Sequence, residues 1–159
     1  MTDIIIEVSL GSNLKYEYCH KTNKLILDRV LHNTNVFPYN YGFIPNTLSP
    51  DGDPLDAIVI TNNYSLQPGC VVNCKVIGGI ETSDEKGLDD KIILVPSNNI
   101  DPNSIYINNI EDIDISVKEN IKYFLKHYKD NEKNKFILVK DFYKKPEALN
   151  RIKKYTLDN

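Results

Sequence analysis

Only three cysteines occur in the 159 residues. Three thiols cannot all pair within one chain, so Cys19, Cys70 and Cys74 read as buried thiols of a reducing compartment rather than as a disulfide framework. Zinc held by Cys70 and Cys74, four apart on one strand face, with Cys19 and His20 is the lesser alternative. Basic charge is not in excess. With 19 Lys and Arg against 22 Asp and Glu the net charge is -3, so no diffuse positive surface attracts nucleic-acid phosphates or anionic lipid. Any bound phosphate must be held at a local site. No stretch approaches the roughly 20 apolar residues of a membrane-spanning helix. The segment Met1-Thr2-Asp3-Ile4-Ile5-Ile6-Glu7 has neither the basic start nor the sustained apolar run of a secretory signal. A cytoplasmic protein with no membrane or nucleic-acid partner is expected. Repeats, linkers and composition shifts are missing too, and a chain that is 41% hydrophobic suits one domain over 1–159 with a real core.

What is present begins with short strands. Val, Ile and Tyr runs broken by Asn, Gly and Pro predict strands over 4–8, 14–18, 25–30, 57–60, 71–78 and 92–95. Between them lie turns such as Pro50-Asp51-Gly52 and Gln67-Pro68-Gly69, and a tyrosine-dense turn over Pro38–Pro45. With no helix of crossover length between strands, a small barrel is favoured over a doubly wound parallel sheet. From Ser116 the period changes: Ile121, Phe124, Leu125 and Tyr128 fall on one helical face, with Ser116 and Glu119 as a capping box. A further strand over 136–142 precedes a short helix opened by Pro146, with Leu149 and Ile152 as its apolar side. The residues from Leu157 on read as a fraying end.

The chemistry concentrates in Asp51-Gly52-Asp53-Pro54-Leu55-Asp56. On a regular strand Asp51 and Asp53 would share a face while Asp56 pointed away. Gly52 frees the backbone and Pro54 interrupts the ladder, so a bent loop can converge all three. Taken alone, such residues are ordinary turn formers. Clustered carboxylates repel one another, however, and suggest a hard divalent cation that shares its coordination with substrate phosphates. An EF-hand does not fit, because counting from Asp51 its sixth position is Asp56 rather than glycine and its twelfth is Asn62 rather than glutamate. Asp84-Glu85 and Asp89-Asp90-Lys91 add further acids downstream. Lys15-Tyr16-Glu17 alternates on a strand with lysine and glutamate on one face, Asp28-Arg29 ends the next strand, and His127-Tyr128-Lys129 ends the amphipathic helix.

These segments, with Asn40-Tyr41-Gly42, occur in the order and spacing of the soluble family I inorganic pyrophosphatases, which the chain resembles over nearly its whole length. The resemblance implies an α+β, mainly β fold: a distorted, OB-like five-stranded β-barrel with one long and one short C-terminal α-helix. It implies Mg²⁺-dependent hydrolysis of pyrophosphate to two orthophosphates, with several ions per site and Mn²⁺ or Zn²⁺ as possible substitutes. Asp51, Asp56 and Asp89 resemble ligands of the two metals that activate water, Asp53 the proton acceptor, and Asp84 a ligand for metal arriving with substrate. Lys15, Glu17, Arg29, Tyr41, Lys91, Tyr128 and Lys129 resemble the substrate-binding set, with Glu7 and Glu85 as supporting acids. Bacterial relatives commonly form hexamers built from trimers, so a homohexamer is the expectation by analogy. Two departures stand out. Phe37 occupies a position where many members carry tyrosine, and Val8-Ser9-Leu10 replaces a more usual Ile-Pro run after Glu7. Competing readings are an OB-type nucleic-acid module, which the carboxylates oppose, and a metal- or phosphate-binding protein without turnover.

Overall fold

In the computed structural model, which describes residues 1–32, 35–130 and 132–158, the strands are β1 (Thr2–Val8), β2 (Leu14–Cys19), β3 (Lys24–Val30), β4 (Asn40–Ile44), β5 (Leu55–Val59), β6 (Val71–Asp84), β7 (Gly87–Pro96) and β8 (Ile137–Lys144). The α-helices are α1 (Ile115–His127) and α2 (Lys145–Tyr155). Strand order is β1-β4-β5-β7-β6, and β1 pairs again with β6, so five strands close a ring; β8 extends the sheet beyond β6. Closure removes the open edges that an isolated sheet would expose. Bulges in β1 between Ile6 and Val8 and in β6 between Val76 and Gly78 make the ring uneven. Only β5 and β7 among the ring partners run parallel. The hairpin β2–β3 forms a separate sheet.

Alternating side chains divide the interior into two apolar clusters. Ile58, Ile93 and Val95 pack with Phe37, Tyr39 and the buried face of α1, whereas Ala57, Val59, Ile92 and Leu94 pack with Ile4, Ile6 and Ala148 of α2. Ile121, Phe124 and Leu125 form the buried face of α1 as their spacing predicts. Its cap differs: Asp114, not Ser116, is the N-cap, and its carboxylate accepts the Ser116 N–H at 3.2 Å. In α2 it is Ala148 that is buried, while Leu149 is exposed. Leu157 is tied down, its N–H donating to the Asn46 carbonyl at 3.0 Å.

The expected turn over Pro38–Pro45 is the strand β4. Buried Asn40 anchors it, its Oδ1 accepting the N–H groups of Leu10 and Leu66 and its Nδ2 donating to Thr61 and Tyr64. Gly42 lets β4 approach β1, since a Cβ there would stand 2.0 Å from the Ile5 carbonyl oxygen. Strand β6 likewise runs beyond its predicted end, passing Gly78 and Gly79 to reach Asp84. Gly79 is required because the Tyr143 ring lies across it, 2.3 Å from where a Cβ would be.

Gly42→Ala should cost about 2–3 kcal/mol through overpacking, a fall of roughly 4–12 °C in thermal midpoint for a domain of this size. A midpoint equal to that of the wild type would remove this close approach as a constraint.

Candidate active site

A cleft of about 380 Å³ opens between the β2–β3 hairpin, the Asp51–Pro54 turn, the β6–β7 hairpin and the C-terminal end of α1. Glu7, Glu17, Asp28, Asp51, Asp53, Asp56, Asp84 and Asp89 line it, facing Lys15, Arg29, Lys86, Lys91, Lys129 and Lys135. Eight carboxylates against six cations leave two acids in excess. Every residue that the family resemblance assigns to the site lines this cleft except Glu85, which turns to Lys135 at 3.4 Å. Lys86 and Lys135 were not singled out. Nothing in their local spacing marks them, because only the folding of the β6–β7 hairpin against 132–136 brings them to the rim.

The acidic loop is a hydrogen-bonded turn. Gly52 takes a φ of +92°, the Asp51 carboxylate accepts the Asp53 N–H at 3.0 Å, and Ser49 N–H donates to the Asp53 carbonyl at 2.7 Å. Asp53 is thereby held exposed at the tip. Pro54 then leads into β5, whose parallel pairing sets Asp56 beside Lys91. Lys91 is only 4% exposed, and its Nζ stands 2.8 Å from Asp56 and 3.0 Å from Asp89, which lies two residues earlier on the same face of β7. The Tyr41 ring packs beside it, 5.4 Å from Nζ to centroid.

Burial pushes Asp56 up to about 7 and Glu7 up to about 7, the latter although it accepts the Tyr18 N–H at 2.8 Å. Burial also raises Asp51. It works against the charge on Lys91, but Asp56 and Asp89 overcome it and hold the ammonium well above its ordinary value. Burial is the largest influence on Asp89 and would raise it, but Lys91, the hydrogen bond shared with Asp56 and the charge of Lys129 together hold it below its ordinary value.

The outer wall carries the other cations. Lys15 and Glu17 share a face of β2, 3.3 Å apart, and Arg29 lies opposite Lys15 in β3 and pairs with Glu132. Lys129 reaches Asp84 at 3.6 Å. Tyr128 caps α1, stacked on Phe124. Phe37 fills the space between Phe124 and Tyr41, with ring centroids at 4.8 and 5.5 Å, and brings no hydroxyl to this wall.

Among the described residues no three His, Cys, Asp or Glu side chains stand in metal-ligand geometry, and the Lys91 ammonium stands between two of the candidate ligands. The donor chemistry nevertheless fits a hard divalent cation: all the candidates are carboxylates, they outnumber the cations, and burial disfavours the anions of Asp56 and Glu7.

The family model for inorganic pyrophosphatase matches residues 4–158. The chain belongs to the inorganic pyrophosphatase family. Among curated relatives, the inorganic pyrophosphatase of Nanoarchaeum equitans is 49% identical over 148 residues, covering 93% of this chain and 91% of that protein. That of Saccharolobus solfataricus is 45% identical over 152 residues, covering 96% and 88%. A solved inorganic pyrophosphatase from Helicobacter pylori superposes with a TM-score of 0.94 at 40% identity, covering 97% of this chain and 90% of that one. Membership in the inorganic pyrophosphatase family agrees with the mainly β ring and its two helices, and the metal dependence implied by the sequence resemblance fits the carboxylate-rich cleft.

A bound divalent cation should stabilise this inorganic pyrophosphatase fold, by about 2.7 kcal/mol at a hundred times its Kd, or roughly 5–11 °C in thermal midpoint. The gain depends on pH. Asp56 and Glu7 stand near 7 when folded but at about 4 when unfolded, so the folded state binds more protons between those values and loses stability as pH rises. A cation displaces those protons. The midpoint gain from Mg²⁺ should therefore be larger at pH 8 than at pH 5.5, and equal gains at both would contradict this electrostatic picture.

Proposed function

We propose that the chain hydrolyses pyrophosphate to two orthophosphates with Mg²⁺ in the cleft and Asp53 accepting the proton of the attacking water. One observation carries the reading: a single cleft sets eight carboxylates against six cations, which suits a polyanion bound together with divalent metal. When bound, Mg²⁺ would supply a nucleophile from water at neutral pH and would screen charge on the phosphate oxygens. Asp51, Asp56 and Asp89 would hold the ions that activate water, and Asp84 the ion that arrives with substrate.

The chain's own groups do the rest. Among the described residues no ion pair engages the Asp53 carboxylate, which sits on a turn fixed by its neighbours. It is free to take a proton from the water as the new P–O bond forms and the bond to the bridging oxygen breaks. Lys15, Arg29, Lys91 and Lys129, with the hydroxyls of Tyr41 and Tyr128, bind the two phosphoryl groups and stabilise the departing orthophosphate. Glu7 and Glu17 complete the acidic side. Glu85 supports it by holding Lys135 at the rim. No protein nucleophile is needed, so Cys19, Cys70 and Cys74 stand outside the reaction.

Mn²⁺ or Zn²⁺ can substitute where oxygen ligands accept them. The whole chain acts as one domain, in the cytoplasm, and assembles as a homohexamer by analogy with bacterial relatives. A nucleic-acid module is disfavoured, since stacking platforms accompany a basic groove and this cleft carries an acidic excess.

Asp53→Asn should keep the wild-type thermal midpoint, because the side chain is exposed, while turnover of pyrophosphate at saturating Mg²⁺ falls about 10²- to 10⁴-fold, the contribution typical of a positioned base. Near wild-type turnover in that variant would remove Asp53 from the chemistry.

A further inference from the structure

We propose that Arg151 is a positioning residue: from α2 it clamps Asp90 behind the cleft and so keeps Asp89 and Lys91, the residues on either side, in register to face it. The role rests on the hydrolase reading above. Side chains alternate along β7, so while Asp89 and Lys91 line the cleft, Asp90 points to the opposite face, where it is 3% exposed. Directly across from it in β6 stands a second carboxylate, Glu81. Like charges at opposed positions of an antiparallel pair push the strands apart.

Arg151 answers both. Its Nη1 donates to Asp90 at 2.5 Å and to Glu81 at 2.9 Å, its Nε donates to Glu147 at 2.9 Å, and its guanidinium lies 4.2 Å over the Tyr143 ring. The Tyr143 hydroxyl donates to Asp90 at 3.3 Å. Among the described residues no other cation pairs with Asp90, whose Oδ2 is buried without a partner. Lys140 also pairs with Glu81, at 2.5 Å, so taking the arginine away would strand Asp90 as the uncompensated buried carboxylate. The adjoining rungs of that ladder are Thr82 with Asp89 and Ile80 with Lys91, so slack at Asp90 is transmitted to the two residues the cleft uses. Sites of this kind tolerate displacements of only about 0.5 Å.

The test compares Arg151→Met with Ile152→Ala, which loosens the same helix from its apolar cluster and does not alter the clamp. Mn²⁺ binding to metal-stripped protein, followed by electron paramagnetic resonance, and kcat and KM for pyrophosphate are read beside thermal midpoints. Arg151→Met should weaken Mn²⁺ binding about tenfold, as loss of a ligand's supporting contact does, and raise KM. Ile152→Ala, at a comparable fall in midpoint, should bind Mn²⁺ as the wild type does. Adding Asp90→Asn to Arg151→Met should recover part of the affinity by removing the stranded charge. If Arg151→Met does not fold, Arg151→Lys, which keeps the charge and loses the fork, should show a smaller weakening of the same kind. Unchanged Mn²⁺ affinity in the Arg151 variants, or an equal loss in Ile152→Ala, overturns the role. A wild-type protein that neither binds Mn²⁺ nor releases orthophosphate overturns the hydrolase reading itself and this role with it.

Discussion

Lys91 holds its ammonium 2.8 Å from Asp56 and 3.0 Å from Asp89 at the rung where β5 and β7 run parallel, and the rest of the candidate site is arranged around that triad. A lysine ammonium removed from water is tolerable only if carboxylates offset it, and Asp56 and Asp89 do so from the wall of the cleft. Parallel pairing puts Asp56 and Lys91 side by side, strand alternation puts Asp89 on the same face, and closure of the five-strand ring keeps these strands from sliding. The same cleft gathers further charge from the turn that carries Asp51 and Asp53, from Asp84 and Lys129, and from the β2–β3 hairpin with Lys15 and Arg29.

Such a cleft is balanced neither as a cation trap nor as an anion trap. Carboxylates exceed cations, so a free polyanion would meet repulsion from one wall and attraction from the other. A divalent metal would resolve the conflict by giving the carboxylates a partner and leaving the lysines and arginine to the phosphates. The same resolution would lower the cost of burying Asp56, which burial pushes up to about 7 despite the Lys91 ammonium beside it. Phe37 and Phe124 set the dry side of this wall, where the field of fixed charges is least screened.

Much of the site was legible because it lies on local, periodic segments. Lys15 and Glu17 share a strand face, as alternation requires, and the buried stripe of α1 delivers Tyr128 and Lys129 to the rim. Strand β4 was hidden because Pro, Asn, Gly and Tyr are turn formers in isolation, whereas Gly42 serves a close approach to Ile5 and Asn40 a set of buried hydrogen bonds. The glycine pair in β6 looked like a strand end for the same reason, although Gly79 is there to admit the Tyr143 ring. Asp114 displaced the expected Ser116 cap through a short local bond. Lys86 and Lys135 at the rim, Glu85 turned away from it, and Arg151 behind it all depend on elements far apart in the chain. No spacing rule reaches that far.

The initial rate of orthophosphate release from pyrophosphate, followed as Mg²⁺ is titrated into fully chelated protein, bears most directly on the claim that metal reconciles an acidic cleft with a polyanionic substrate. Release that is absent under chelation and rises with added Mg²⁺ is the predicted result. Release that persists under chelation, or none from folded protein at any Mg²⁺ concentration, would contradict it.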